Sequence, residues 1–335
     1  MFLNPKTTKL LHDLAEKRIV PGVSYSMIHQ GKLQSEVFGE KEIFPRHEKL
    51  VPGLLYDVAS LTKVVCTTPM ILKLLEEQRL SLDQPIAQLL PCFTDQRVTL
   101  RHLLTHTSAI TGYIKDRDQL NATELLTAIY EQMHVGDWLG EKVVYTDINM
   151  ILLGQIIEKF YHLPVQTVFK NEVLKPLKLN ESTFEPSKQY CVPTAVDPIR
   201  GLIKGEVHDP KAYVLGKHCA SAGLFMTLND LTKYVSWLLG QFGTLPLLSD
   251  QTVVSLFADY TPNKTGHRSL GFDLCDTPDG RACLYHTGYT GTFILIDRLK
   301  QDALVVLTNR VHPRQQNSRY LQARDQLIKT YLKEK

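Results

Sequence analysis

The sequence predicts an α+β fold in which an antiparallel sheet is built from both ends of the chain and a mainly helical segment is inserted between them. Strand-like alternation around a tight turn occupies residues 22–38, and a second cluster of strand signals lies between residues 270 and 308. The long middle is dominated by helical periods punctuated by Pro and Gly. Strands at the two ends with helices between them fit one sheet closed by the termini.

Each element follows in chain order. Leu10, Leu11 and Leu14 stand at helical spacing within residues 6–18. Residues 22–28 and 33–38 alternate around His29-Gln30-Gly31-Lys32, the pattern of a β-hairpin. In the middle, residues 149–161 and 228–239 carry the clearest helical periods. Strands are then expected at 270–274, 282–286, 291–296 and 303–308, the last two joined by the polar segment 297–302. Leu321, Leu327, Ile328 and Leu332 mark a closing helix. This divides the chain into a sheet subdomain, residues 1–58 plus 265–335 flanked by terminal helices, and a helical subdomain, residues 59–264, with the site expected in the cleft between them.

Composition narrows the function. The 335 residues are 43% hydrophobic and 22% charged, which is the make-up of a globular chain. Lys and Arg number 38 against 35 Asp and Glu, and no run of like charge is long enough to follow a phosphate backbone, so nucleic acid is not expected as a partner. The start lacks the apolar core of a secretory signal, and the longest apolar run, residues 148–157, is interrupted by Asn149 and Gln155. No membrane span and a cytoplasmic location are the expectation. The six cysteines show no C-x-x-C spacing and read as reduced thiols, although Cys275 and Cys283 flank a turn and stand where they can face each other.

Ser60-Leu61-Thr62-Lys63 is the only place where a serine is followed three residues later by a lysine, and the apolar run from Val64 to Leu75 follows it. On a helix, the lysine amine returns to the serine's face one turn later, and the unpaired N–H groups of the first turn can help hold an oxyanion. That arrangement is an activated nucleophile; the alternative is a helix cap followed by a solvated lysine. Tyr145-Thr146-Asp147 precedes the helix of residues 149–161. A phenol there can take the serine proton if a cation such as Lys63 favours its charged form. Otherwise Tyr145 is a wet aromatic at the core edge and Asp147 a helix cap. His286-Thr287-Gly288 ends a strand and is followed by Tyr289, Gly291 and Thr292. Small residues there let a substrate backbone pair with the strand edge, and the Tyr289 N–H can complete an oxyanion hole.

Together these stretches resemble the serine β-lactamase and penicillin-binding protein superfamily, especially its class C-like esterases, DD-peptidases and D-aminopeptidases. The likeness runs in order through Val58-Ala-Ser-Leu-Thr-Lys63, Leu80-Ser-Leu-Asp-Gln-Pro85, Arg101-His-Leu-Leu-Thr-His-Thr-Ser108, Tyr145-Thr-Asp147, Gly205-Glu-Val-His-Asp209, Ala222-Gly-Leu-Phe225, His286-Thr-Gly288 and Leu307-Thr-Asn-Arg310. The resemblance implies a β-lactamase/transpeptidase-like fold. It also implies Ser60 as the acylated nucleophile, with Lys63 and Tyr145 as the pair that handles its proton. Asp147, where many relatives have Asn, would hold Lys63 or the substrate amide. His286, Thr287 and Gly288 would form the third motif, and the Ser60 and Tyr289 amides the oxyanion hole.

Several features depart from that pattern or imitate it. A literal Lys264-Thr265-Gly266 follows Pro262-Asn263 in a loop-like stretch and is set aside in favour of His286-Thr287-Gly288. Histidine in place of lysine predicts weaker recognition of a substrate carboxylate, unless an arginine elsewhere supplies the charge. Pro69 is expected to kink or break the helix that starts at Ser60. His102 and His106 lie one helical turn apart, but Leu103 stands where a metalloprotease helix has its glutamate, so no metal is expected. His208 and Asp209 belong either to a structural loop network or to a wall of the cleft. The implied activity is that of a serine hydrolase working through an acyl-enzyme, without cofactor, on a small amide, ester or peptide, with weak β-lactamase action within its range. The alternative is a penicillin-binding-like scaffold that turns over nothing. Oligomeric state is not legible.

Overall fold

The structure is a computed structural model that describes residues 4–241, 247–314 and 318–334. The large antiparallel sheet has seven strands: β1 (Gly22–His29), β2 (Lys32–Glu42), β3 (Glu48–Lys49), β4 (Asp273–Asp276), β5 (Ala282–Thr287), β6 (Phe293–Asp297) and β7 (Asp302–Thr308). Their spatial order is β4-β5-β6-β7-β1-β2-β3. The two chain ends meet where β1 pairs with β7, Val23 opposite Thr308 and His29 opposite Asp302.

Both faces of this sheet are covered, which is why β6 and β7 are apolar along almost their whole length and buried at every position. Successive side chains point to opposite faces. Phe293, Leu295, Leu304 and Val306 pack with Leu11, Leu14, Tyr320 and Leu327 from the terminal helices Pro5–Glu16 and Ser318–Glu334. Ile294, Ile296, Ala303, Val305 and Leu307 join the larger core of the helical middle. The hairpin and both terminal helices lie where the periodicity predicts them.

Three local expectations need correction. Residues 270–274 do not form a strand throughout, because Gly271 takes φ +80 and Ser269 N–H donates to Phe272 O; the turn delays β4 until Asp273. Pro69 breaks nothing. A π-turn over Lys63–Thr67, in which the Thr68 N–H donates to Lys63 O, carries the helix past Pro69 into Thr68–Glu76, and Tyr234 Oη donates at 2.6 Å to Val64 O, a carbonyl of the turn before the proline. Thr146, not Asp147, caps the helix Asp147–Tyr161, its hydroxyl accepting the Ile148 N–H. The Asp147 carboxylate is thereby left for other partners.

All six cysteines are free thiols, and Cys275 and Cys283 are register partners on β4 and β5. No helix among the described residues is long and apolar enough to cross a membrane.

Candidate active site

Ser60 is presented by a turn fixed from two sides. The two-residue strand Tyr56–Asp57 pairs with Phe225–Met226, and Asp57 Oδ1 accepts the Ala59 N–H at 2.8 Å. Ala59 takes φ +48, a left-handed conformation that an L side chain adopts only where its surroundings enforce it. Leu61 and Thr62 then donate to Val58 O and Ala59 O, and the helix begins. From the opposite side, the turn after β5 grips the same backbone: Thr290 Oγ1 donates to Asp57 O at 2.7 Å and Thr292 Oγ1 to Val58 O at 3.1 Å. The His286-Thr287-Gly288 segment is tied in this way to the turn that carries Ser60.

Lys63 is fully buried, with the Tyr145 side chain as one hydrogen-bond partner and three further acceptors around its ammonium. These are Ser60 Oγ at 2.7 Å, Ser221 O at 2.7 Å and Asp147 Oδ1 at 2.8 Å. Burial alone would push Lys63 down, but the Asp147 carboxylate and Tyr145 outweigh it and hold the group above its ordinary range. Burial would likewise raise Asp147, yet Lys63 and then Lys211 hold its carboxyl well below the usual carboxylate range. Lys63 is therefore a charged donor to Ser60 Oγ.

Tyr145 is 45% exposed, with its ring stacked on His106 at a centroid distance of 4.4 Å. Lys63 Nζ lies 5.3 Å from the ring centre and the Arg268 guanidinium 5.9 Å from it. His286 is buried with its ring centroid 6.2 Å from that of Tyr145. Burial first, and then Arg268 and Lys63, push His286 well below the ordinary histidine range, so its imidazole is neutral. Arg268, itself 4% exposed and ion-paired to Asp273, is the cation beside this neutral histidine.

A family model described as "Beta-lactamase" matches residues 7–328. The chain belongs to the Beta-lactamase family. It is 27% identical over 314 residues to a "Putative D-alanyl-D-alanine carboxypeptidase" of Escherichia coli (strain K12), covering 79% of this chain and 71% of the relative. It is 25% identical over 348 residues to an "N-acetylmuramyl-L-alanine amidase" of Bacillus subtilis (strain 168), covering 87% and 78%. A solved structure titled "A class C beta-lactamase" superimposes with a TM-score of 0.80 at 19% identity, over 99% of this chain and 96% of that one. The likeness to that structure shows the fold; family and relatives mark the chain as a serine hydrolase.

In this β-lactamase-family enzyme a cleft of about 640 Å³ opens beside Ser60, lined among others by Asp147, His208, Lys211, Tyr213 and Tyr289. His208 and Asp209 serve both readings offered for them. The His208 backbone N–H donates to Asp57 Oδ2 at 2.7 Å, its ring stacks on Tyr289 at 5.5 Å, and Asp209 caps the helix Pro210–Leu215. Tyr289 is half exposed on the cleft, and neither its amide nor that of Ser60 donates to another described group.

The remaining candidates lie elsewhere or serve the scaffold. Lys264 stands on a loop, donating to Asp259 O at 2.8 Å with its ammonium over the Tyr260 ring. His102 belongs to a capping box with Thr99, and His106 Nδ1 faces the Thr146 N–H and the Asn149 side chain. Among the described residues no three potential metal ligands cluster. Sequence reasoning missed Lys211, Arg268 and the Ser221 carbonyl. Lys211 follows His208-Asp209 by two residues and was open to notice; nothing in one sequence marks a carbonyl or an arginine that arrives from a distant loop.

Proposed function

We propose that the enzyme hydrolyses small amides or esters by acylation of Ser60, with short peptides of the cell-wall type as its substrate class. The 2.7 Å contact between Lys63 Nζ and Ser60 Oγ carries this reading. An ammonium that already donates to the hydroxyl cannot also take its proton, so the base is Tyr145, to which Lys63 and Arg268 offer counter-charges. Tyr145 takes the Ser60 proton as Oγ bonds to the substrate carbonyl carbon, and the oxyanion is held by the Ser60 and Tyr289 amides. The leaving amine or alcohol receives the proton from Tyr145 as its bond to the carbonyl breaks. Water then gives a proton to Tyr145 as its oxygen bonds to the acyl carbon, and Tyr145 passes that proton to Ser60 Oγ as the acyl bond breaks and the acid leaves.

His286, Thr287 and Gly288 run past the last β4–β5 pair, Asp273 opposite Tyr285, and a substrate backbone lies along this uncovered end, between the sheet subdomain and the helical one. The neutral imidazole offers hydrogen bonds and no charge, which favours amides and esters over substrates that depend on a carboxylate anchor. The relatives' names, a carboxypeptidase and an amidase, support a peptide-like substrate. Incubation with a fluorophosphonate or a penicillin, followed by intact-protein mass measurement, is expected to show an adduct on wild type and none on Ser60→Ala. Absence of an adduct with every acylating probe would overturn the reading in favour of a binding protein.

A further inference from the structure

Asp147 has two carboxylate oxygens, and two lysines divide them. Oδ1 lies 2.8 Å from Lys63 Nζ and Oδ2 lies 2.9 Å from Lys211 Nζ. Lys211 is in turn 3.6 Å from Asp209 Oδ2, so charge alternates outward from Ser60. Lys211 is mostly buried, its side chain 15% exposed at the cleft. Its backbone is fixed as well, since Asp209 caps the short helix that carries it by accepting the Ala212 N–H at 2.8 Å.

Lys63 and Asp147 alone make a pair of no net charge beside the nucleophile, and a neutral pair does little for an oxyanion or a phenolate. A second ammonium on the far oxygen draws off part of the carboxylate's field, so that Lys63 keeps more of its own toward Ser60, while Asp209 balances Lys211 farther out. Lys211 also stops the carboxylate from rotating, because each oxygen is already engaged.

We propose that Lys211 is a positioning residue for hydrolysis, holding Asp147 Oδ2 so that Oδ1 stays on Lys63 and the Asp147 charge is shared between the two lysines rather than spent on Lys63 alone. This rests on the reading of Ser60 as nucleophile, and the experiment separates the two. In the full-length enzyme, fluorophosphonate labelling of wild type is measured first, and then kcat and KM for a p-nitrophenyl ester in Lys211→Met and Lys211→Arg, each in the Asp147 and Asp147→Asn backgrounds, alongside thermal melting. Lys211→Met is expected to lower kcat at least about tenfold with KM within about twofold, and Lys211→Arg to keep most of kcat. In the Asp147→Asn background the same Lys211→Met change is expected to alter kcat by less than about threefold, because no carboxylate remains to be held. A merely structural lysine would shift the melting temperature and cost the same in both backgrounds. If wild type is labelled and Lys211→Met keeps its kcat, or loses equally in both backgrounds, the Lys211 assignment falls and the nucleophile stands. If Lys211→Met does not fold, Lys211→Gln is compared in its place on the same criteria. A wild type that no probe labels overturns both.

Discussion

The Tyr145 and His286 rings lie 6.2 Å apart, and the Lys63 and Arg268 cations act on both. A third cation in that space would meet two others in a buried setting, and His286 accordingly stays neutral. The third motif therefore contributes a hydrogen-bonding group at the end of β5, while the positive charge near the phenol comes from Lys63 and Arg268.

The choice between the two Thr-Gly segments can be tested directly. His286→Ala is expected to lower kcat/KM for a p-nitrophenyl ester at least about tenfold, the range for losing one positioned polar group in a site. Lys264→Ala, whose ammonium is engaged by Asp259 O and the Tyr260 ring, is expected to stay within about twofold. The reverse order in steady-state kinetics would return Lys264 to the site.

Tyr145→Phe removes one oxygen and leaves the ring on His106. Its expected effect is a fall in kcat of about 10²- to 10⁴-fold, the range for a general base. The melting temperature should hold, since the side chain is 45% exposed and its stacking surface is retained. A variant that melts normally and turns over at the wild-type rate would remove Tyr145 from the mechanism.

Much of the architecture was legible because its causes are local. The continuous apolar runs of β6 and β7 report a sheet covered on both faces, and the Ser60–Lys63 spacing reports a helical turn. What escaped has non-local causes. The π-turn at Lys63–Thr67 accommodates a proline that the one-dimensional pattern shows only as a breaker. The late start of β4 follows from Gly271, whose N–H donates to Leu104 O in another part of the chain. Lys211 gains its meaning only when the helices Pro210–Leu215 and Asp147–Tyr161 bring it to Asp147.

Gly288 shows how tightly the third motif and the nucleophile turn are coupled. A Cβ built there would stand 2.4 Å from Val58 O and 2.1 Å from Thr292 Oγ1. The first neighbour is backbone two residues before Ser60 and cannot rotate away. Gly288→Ala is expected to lower the melting temperature and to cut fluorophosphonate labelling of Ser60 together, as overpacking of about 1–3 kcal/mol is relieved by shifting that turn. Labelling at the wild-type rate would mean the two segments move independently.

The scaffold beneath Ser60 also carries a pH signature with two opposing parts. Burial pushes the Asp57 carboxyl up to about 6, against the N–H bonds it accepts from His208 and Ala59. Burial pushes the His208 imidazole down to about 4, with Asp209 opposing. A carboxyl raised on folding contributes stability that is full below its unfolded value near 4 and is lost as pH rises through about 6. A histidine depressed on folding contributes stability that is full above about 6.5 and is lost as pH falls through about 4. Between pH 4 and 6 the two slopes oppose, each at most about 1.4 kcal/mol per pH unit. Asp57→Asn keeps an oxygen for one of the two N–H groups and abolishes the falling slope. Its urea-unfolding free energy is expected to be lower than wild type throughout but to rise more steeply from pH 4 to 6, by the histidine contribution now unopposed. Parallel curves for the two proteins over that range would show that Asp57 titrates alike in the folded and unfolded chain, and would sink the assignment.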